Sequence, residues 1–181
     1  MRTISIRGME FRQIYSAHQI QKKIAQLAKL IVDSHPDDKI LLVCVLKGAS
    51  FFATSLMQHI SALGKHDVEL EYIALRSYAG TRSTGKITCK RWLDPLFRKK
   101  LNEYHVYIIE DVVDTGLTFA WLENKFKSEQ HTPLSITFLP LFDKSGKYPT
   151  SIQIGHAFVI GFGLDLDGWC RGLKAVYQKT A

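Results

Sequence analysis

Polar residues crowd the segment that follows one short apolar run of the chain. The run covers residues 106–109, and after it come Glu110, Asp111, Asp114, Thr115, Gly116 and Thr118. Backbone N–H groups of a tight Asp-Thr-Gly turn at the start of a helix suit a phosphate, and threonine hydroxyls are further donors. Adjacent carboxylates accept hydrogen bonds from vicinal sugar hydroxyls or hold Mg²⁺ through water, because this hard cation prefers oxygen ligands. The segment therefore provides for a phosphate, a sugar and a metal ion.

A purely structural role is the simplest alternative for these residues. Glu110 and Asp111 would then only open a loop, and Asp114 would cap a helix, which is a common use of aspartate. This interpretation accounts for each residue singly but poorly for all the polar positions together. We therefore expect a ligand-binding site in this segment.

The elements before this segment predict how it is positioned. Ser16 and Gln19 form a capping-box pattern ahead of a helical apolar period. Residues 40–46 are an apolar run without alternation, which is typical of a strand buried on both faces. A second helical period begins at Phe51 and is stopped by Gly64. Helices and buried strands thus alternate along this half of the chain.

The remaining elements extend the same pattern. Further strands are predicted at residues 68–77, 106–109, 135–141 and 157–162, and a helix is predicted to begin near Thr118. This alternation predicts an α/β fold with a central, mostly parallel sheet flanked by helices. Ligands bind beyond the carboxyl ends of such strands, and we expect the strand of residues 106–109 to stop at Glu110 and Asp111.

Composition places the chain among folded domains. It has 181 residues, 46% of them hydrophobic and 23% charged, which predicts one domain with a sizeable core. The N-terminus lacks a signal-peptide pattern, and the longest apolar run is far shorter than the roughly 20 residues of a membrane helix. The cysteines are widely spaced without a CxxC pair, so we expect free thiols in the cytoplasm.

Positive charge is concentrated in one stretch of the chain. The formal net charge is +7, and residues 82–100 hold seven Lys and Arg residues against Asp94 alone. Such a stretch suits a polyanionic ligand or a nucleic acid, but a charge run is more often a solvated face. The charge by itself therefore does not decide between these roles.

Residues 106–118 resemble the phosphoribosyl pyrophosphate (PRPP) signature of the type I phosphoribosyltransferases. From its first helix to Arg171, the chain is similar to the hypoxanthine-guanine phosphoribosyltransferase family. The resemblance implies the type I phosphoribosyltransferase fold in a single domain over residues 1–181. Its core would span about residues 36–141, and its N-terminal and C-terminal segments would form a small hood lobe over the base site.

The resemblance implies specific roles for the residues that match the family motifs. PRPP and its ribose 5-phosphate would be bound by Glu110, Asp111, Asp114, Thr115, Gly116 and Thr118. Asp114 would also be catalytic, as the carboxylate near purine N7. Lys47 and Gly48 match a pyrophosphate loop that follows a cis peptide bond after Leu46, and Arg171 would reach the same pyrophosphate.

Other motifs match the purine site and the lid of the family. Lys144 would donate to the purine 6-oxo group, which favours a 6-oxo purine over adenine because an ammonium only donates. Phe158 would stack on the base, and the carbonyl of Val159 would meet its edge. Asp165 would lie near the base and a second Mg²⁺, so the implied metal residues are Glu110, Asp111 and Asp165. Ser77 and Tyr78 would head a mobile loop that closes over the reaction centre.

The activity implied by the resemblance belongs to purine salvage. The 5-phosphoribosyl group of PRPP would pass to N9 of hypoxanthine or guanine, giving IMP or GMP and pyrophosphate, with Mg²⁺ as cofactor. Family members are usually dimers or tetramers, so a homo-oligomer is implied, with no membrane partner.

Two alternatives remain open at this point. A xanthine-preferring phosphoribosyltransferase is one of them, because the chain between Lys144 and Phe158 is shorter than is usual in the family. An RNA-binding regulator on the same fold is the other, since residues 82–100 would suit phosphate contacts. Such regulators lack the Asp114 pattern, which argues against a nucleic-acid partner.

Overall fold

The structure is a computed structural model, and it describes residues 2–77 and 87–180. Strands in these two ranges are β1 Thr3–Ile6, β2 Met9–Tyr15, β3 Lys39–Leu46, β4 Val68–Ser77, β5 Ile87–Arg91, β6 Tyr104–Val113, β7 Ser135–Asp143, β8 Ile152–Gln153, β9 Val159–Ile160 and β10 Val176–Lys179. Helices are α1 Ala17–Ser34, α2 Ser50–Ala62, α3 Pro95–Arg98 and α4 Leu117–Lys127, with a 3₁₀ turn at Leu101–Glu103. In this part of the chain, none of the helices is both long and apolar enough to cross a membrane.

The larger sheet has the strand order β5-β4-β3-β6-β7-β8. Its neighbours pair in parallel except for β4 and β5, which are antiparallel. The predicted α/β fold with a mostly parallel sheet is therefore confirmed. The chain passes from β3 to β4 on one side, and later to β6 on the other side of β3, so the strand order reverses between β3 and β6. Ligands of open α/β sheets bind at such a switch point.

Local sequence signals explain the first helix and the central strand. The hydroxyl of Ser16 accepts from the N–H of Gln19 at 3.2 Å, and the Gln19 side chain accepts from the N–H of Ser16 at 2.9 Å, so the predicted capping box is present. Along β3, Ile40, Leu42 and Cys44 pack against α1 and α2, while the residues between them pack with α4. Burial on both faces is therefore confirmed, and the sheet lies between two layers of helices.

One predicted boundary is wrong. The strand that begins before residue 106 does not stop at Glu110 but continues as β6 to Val113. Pairing explains the difference, because β3 pairs with β6 only as far as Ile109, whereas β7 pairs with it up to Val113. Glu110 and Asp111 therefore lie on the strand itself, just past its last residue paired to β3.

A second, antiparallel sheet is built from both ends of the chain, in the order β1-β2-β10-β9. Its core contains Phe11, Ile160, Leu166 and Tyr177. The strand predicted at residues 157–162 is reduced to Val159–Ile160 and belongs here rather than to the parallel sheet. It ends because Gly161 opens a tight turn, in which its N–H donates to the carbonyl of Leu164 at 2.9 Å.

Candidate active site

Two neighbouring carboxylates lie at the switch point, on the last part of β6. Glu110 and Asp111 are both partly buried, and Glu110 Oε2 is closed off from solvent without a hydrogen-bond partner in residues 2–77 and 87–180. Burial raises the pKa of Glu110 well above its ordinary value, and the charge of Asp111 adds to the rise. Burial also raises the pKa of Asp111, although the Val112 N–H at 3.0 Å and Arg171 act in the opposite direction. A buried carboxylate oxygen without a partner suits a cation or a ligand hydroxyl.

A small pocket opens next to the acid pair, where β6 turns into α4. It measures about 130 Å³, and its lining includes Glu110, Asp114, Thr115, Gly116 and Thr118. Gly116 is the N-cap residue of α4 and has no side chain to cap it, and among the described residues the first-turn N–H groups meet only one long side-chain contact, of 3.5 Å from the Leu117 N–H to Thr115 Oγ1. The N–H groups of the first turn are therefore available to an anion, and the positive end of the helix dipole favours one. The structure thus brings the predicted phosphate-binding residues together around one pocket.

The loop between β3 and α2 faces the acid pair across the switch point. The Leu46–Lys47 peptide bond is cis, as the resemblance implies. Gly48 is buried, and a Cβ atom built on it would overlap the Asp111 carboxylate and lie 3.2 Å from Arg171 Nη1. Only glycine therefore leaves room for this approach, which brings the predicted residues Gly48, Asp111 and Arg171 together. Lys47 is exposed, and its carbonyl accepts from Ser50 Oγ at 2.7 Å.

Arg171 is held by the loop that follows β9. Its Nη2 lies 2.6 Å from Asp165 Oδ1, and its Nη1 donates to the carbonyl of Gly163 at 2.5 Å. The other Asp165 oxygen accepts from the N–H of Gly168 at 2.6 Å. A Cβ atom on Gly163 would overlap the carbonyl oxygen of Gly48, so the two loops touch through their glycines. Gly163 was not predicted as a site residue, although its Gly-x-Gly spacing with Gly161 was an available signal in the sequence.

The turn after β7 carries the lysine predicted to meet the purine. The N–H of Lys144 donates to the carbonyl of Val113 at 2.9 Å, which places the turn beside Asp114. Fully buried Asp143 organises this turn by accepting from the N–H of Ser145 at 2.7 Å and of Tyr148 at 2.8 Å. Burial opposes ionisation of Asp143, but these hydrogen bonds prevail and lower its pKa. No role for Asp143 could be predicted from the sequence, because its hydrogen-bond partners are brought to it only by the fold.

The other predicted residues lie at the second sheet or at the edge of the described chain. Phe158 is 47% exposed, so it is not a core residue, and Val159 is buried in β9. Ser77 is the last residue of β4, and Tyr78 lies outside the described residues. Of the basic stretch, Arg98 forms an ion pair with the buried Glu129, so part of this charge supports the fold.

The fold and the site together define a class of protein. A carboxylate pair lies at the switch point of a parallel sheet. On one side of it is a pocket at a helix N-terminus, and on the other is a glycine loop that approaches an arginine. These are the parts of a type I phosphoribosyltransferase.

Comparison with known proteins supports this class and narrows it. A model of the phosphoribosyl transferase domain matches residues 10–134. The chain is 32% identical to the hypoxanthine-guanine-xanthine phosphoribosyltransferase of Tritrichomonas foetus, with 91% of this chain and 89% of that protein covered. It is 33% identical to the hypoxanthine-guanine phosphoribosyltransferase of Mycobacterium avium, with 90% and 82% covered.

A solved structure of a hypoxanthine phosphoribosyltransferase is also similar to this chain. The hypoxanthine phosphoribosyltransferase of Trypanosoma cruzi, in complex with the product IMP, matches with a TM-score of 0.79 and 26% sequence identity over 98% of this chain and 97% of that one. The chain therefore belongs to the phosphoribosyltransferase family, in its hypoxanthine-guanine branch. The resemblance drawn from the sequence motifs is confirmed.

Proposed function

We propose that this protein transfers the 5-phosphoribosyl group of PRPP to N9 of hypoxanthine or guanine, producing IMP or GMP and pyrophosphate for purine salvage. One observation carries the proposal. The Glu110 and Asp111 carboxylates lie between the anion pocket at the start of α4 and the Gly48 loop with Arg171. A sugar with a phosphate at one end and a pyrophosphate at the other requires this order of groups.

Mg²⁺ fits the acid pair of this site. Glu110 Oε2 is buried without a partner among the described residues, and Asp111 adds a second carboxylate beside it. Glu110 and Asp111 would hold the ion directly or through water, with Asp165 as the third predicted metal residue. When bound, Mg²⁺ supplies charge neutralisation for the pyrophosphate leaving group.

The side chains of the site would divide the remaining work among themselves. Thr115, Gly116 and Thr118 would bind the 5-phosphate, since the start of α4 offers free N–H groups. Glu110 and Asp111 would accept hydrogen bonds from the ribose hydroxyls and stabilise positive charge developing at C1. Lys47, Gly48 and Arg171 would bind the pyrophosphate, for which a forked guanidinium is well shaped.

Asp114 is proposed as the catalytic group. It is exposed and directly follows the last residue of β6, beside the pocket for the 5-phosphate. From there its carboxylate would exchange a proton with purine N7 as the base becomes a nucleophile. Acid–base chemistry and phosphate binding would thus come from one turn of the chain.

The purine itself would be recognised by residues outside this turn. Lys144 would donate to the 6-oxo group, Phe158 would stack on the ring, and the carbonyl of Val159 would contact its edge. The second sheet would form the hood over the base, above a core of about residues 36–141. The loop headed by Ser77 and Tyr78 would close over the reaction centre and exclude water.

The proposal also covers the oligomeric state and the cellular location of the protein. We expect a homo-oligomer, either a dimer or a tetramer, in the cytoplasm. Cys44, Cys89 and Cys170 are free thiols, which agrees with a reducing compartment. Among the similar proteins, the hypoxanthine phosphoribosyltransferase of Trypanosoma cruzi has been studied for the effect of its C-terminal region on oligomeric state. Analytical ultracentrifugation of the purified chain measures the assembly directly.

The test is a pyrophosphate-release assay with PRPP and Mg²⁺. Hypoxanthine, guanine, xanthine, adenine and uracil are supplied separately, and turnover is expected with hypoxanthine and guanine. Turnover with xanthine alone would replace the proposed specificity. If no base is turned over, the proposal fails, and salt-dependent RNA binding becomes the next measurement.

A matched pair of variants tests the assigned purine contact. Lys144→Met removes the donor to the 6-oxo group, so the KM for hypoxanthine and guanine is expected to rise. Lys147→Met alters an exposed lysine of the same turn and is expected to leave KM unchanged. Equal effects of the two substitutions would contradict the role of Lys144.

A further inference from the structure

Two histidines and an aspartate meet at the end of the sheet opposite the active site. His35 is the C-cap residue of α1, Asp38 directly precedes β3, and His105 is the second residue of β6. His105 pairs with Ile40 in the parallel register, so the three side chains lie at the amino ends of β3 and β6. Glu110 and Asp111 lie toward the carboxyl end of β6, and the proposed transfer reaction does not use this cluster.

The distances within the cluster fit a metal ion better than hydrogen bonds. Nδ1 of His35 lies 3.4 Å from Oδ2 of Asp38, and Nε2 of His105 lies 3.5 Å from the same oxygen. N–H···O hydrogen bonds usually span about 2.7–3.2 Å, so both distances are long for that role. Ligand atoms around a tetrahedral ion with bonds of about 2.0–2.1 Å are roughly 3.3–3.4 Å apart. The three candidate ligand atoms all lie within 4.8 Å of one another.

Neighbouring groups already orient the ligands. Nδ1 of His105 lies 2.7 Å from Ser135 Oγ, a contact that engages one ring nitrogen and directs the other toward Asp38. Such a partner on the far nitrogen is the usual support of a metal-binding histidine. The buried Lys65 ammonium donates to the carbonyl oxygen of Asp38 at 2.5 Å and of Pro36 at 3.1 Å, which fixes the turn that carries the carboxylate. The imidazole rings of His35 and His105 stack with their centroids 3.9 Å apart and an interplanar angle of 29°, so the His35 ring must turn for both nitrogens to point at one ion.

We propose that His35, Asp38 and His105 form a binding site for a divalent transition-metal ion, with Zn²⁺ as the best match. Two imidazoles and one carboxylate are typical zinc ligands, whereas Mg²⁺ prefers oxygen ligands alone. Three protein ligands leave the fourth position for water, and the half-exposed Asp38 side chain gives the ion access. A bound ion would link α1, β3 and β6 and would stabilise the sheet at the end remote from the transfer site.

The test uses the full chain and Zn²⁺ alone as the titrant. Isothermal titration calorimetry is performed in excess Mg²⁺, so that the acid pair of the active site is already occupied. We expect one Zn²⁺ per chain and a zinc-dependent rise in the unfolding temperature. Co²⁺ in place of Zn²⁺ is expected to produce the visible absorption of a tetrahedral site. Absence of a Zn²⁺ isotherm for the wild-type chain would refute the proposal.

Matched variants assign the ligands. Asp38→Asn changes a half-exposed side chain and is expected to keep the fold while weakening Zn²⁺ binding by at least the roughly 100-fold that is the upper range for loss of an outer-shell partner. His105→Gln is expected to do the same, and Ser135→Ala to weaken binding about tenfold, since outer-shell partners contribute 10- to 100-fold. His156→Gln alters an exposed histidine elsewhere and is expected to bind Zn²⁺ normally. Normal binding by the folded Asp38→Asn chain would overturn the proposal, and it would do so without affecting the transferase assay.

Discussion

Two glutamates of this protein, Glu129 and Glu110, have carboxylates that are shielded from water, but the groups around the two carboxylates differ. Glu129, after the end of α4, is buried, and both of its carboxylate oxygens are used. Oε1 accepts from Trp92 Nε1 at 2.9 Å, Oε2 accepts from Arg98 Nε at 2.6 Å, and Lys125 lies 3.4 Å away. Glu110, on β6, faces another carboxylate and has an oxygen without a partner in the described part of the chain.

Their pKa shifts record the same contrast. Burial alone would raise the pKa of Glu129, but the hydrogen bonds from Arg98 and Trp92 prevail and lower it. Burial raises the pKa of Glu110, and Asp111 raises it further. The Glu129 carboxylate is thus satisfied by the fold, whereas Glu110 at the switch point has an oxygen that the described residues leave unsatisfied, as is common at functional sites.

The largest effect is expected from a substitution at the proposed active site. Asp114→Asn keeps the shape of the turn but removes the carboxylate that we propose exchanges a proton with the purine. We expect kcat to fall roughly 100- to 10,000-fold, which is the usual contribution of acid–base catalysis. GMP binding, measured by calorimetry, is expected to change little. Unchanged turnover would remove Asp114 from the mechanism.

Gly48→Ala is the next largest perturbation. The added methyl group would overlap the Asp111 carboxylate, so either the loop or the carboxylate must move. A displacement of about 1 Å in an active site costs on the order of 100-fold in rate, and we expect a loss of that size in kcat/KM. Gly172→Ala is the control, because a Cβ atom there meets nothing within 4 Å. Similar activity in both variants would show that the close approach is not needed.

Glu129→Gln tests the structural side. Loss of the charge weakens the hydrogen bonds to Arg98 and Trp92. We therefore expect the free energy of unfolding at pH 7 to fall by about 1–3 kcal/mol, with turnover unchanged. The pKa of Glu129 is lower in the folded protein than its ordinary value of 4.5. The charged Glu129 carboxylate therefore stabilises the fold fully above pH 4.5, and this stabilisation is lost as the pH falls from 4.5 through the lowered pKa.

The matched control is Glu123→Gln. Glu123 forms an exposed ion pair with Lys127, and such pairs contribute about 0–1 kcal/mol. Urea unfolding at pH 7 and at pH 4 measures both variants. A difference between wild type and Glu129→Gln that did not shrink at low pH would show that charge is not the cause.

Glu110→Gln is expected to have the smallest effect, and it should raise the free energy of unfolding, whereas Glu129→Gln should lower it. Replacing a buried carboxylate beside Asp111 with a neutral amide removes the repulsion between the two carboxylates and the cost of burying a charge. We expect the chain without Mg²⁺ to become more stable by about 1 kcal/mol at pH 8, while activity falls. Urea unfolding midpoints should therefore move in opposite directions for Glu110→Gln and Glu129→Gln. A loss of stability in both would erase the distinction between the two glutamates.

Local patterns were enough to predict most of the parallel sheet, and they singled out the residues around one of its pockets. The capping box of Ser16 predicted α1, and the unbroken apolar run predicted β3 with both faces buried. The polar segment from Glu110 to Thr118 was predicted as one ligand-binding site, and most of its polar residues line one pocket in the fold. In each case the signal lies within a few neighbouring residues, because caps, turns and periodicity are properties of short segments.

Only the tertiary structure decided the rest. Continuation of β6 through Glu110 depends on pairing with β7, and the second sheet joins strands from opposite ends of the chain. The overlap of Gly163 with Gly48, the turn organised by Asp143, and the meeting of His35 with His105 all join residues that are distant in sequence or invisible to a periodic pattern. Such contacts are set by the packing of the whole chain, so the sequence by itself determined which chemistry is present, and the fold decided which groups meet.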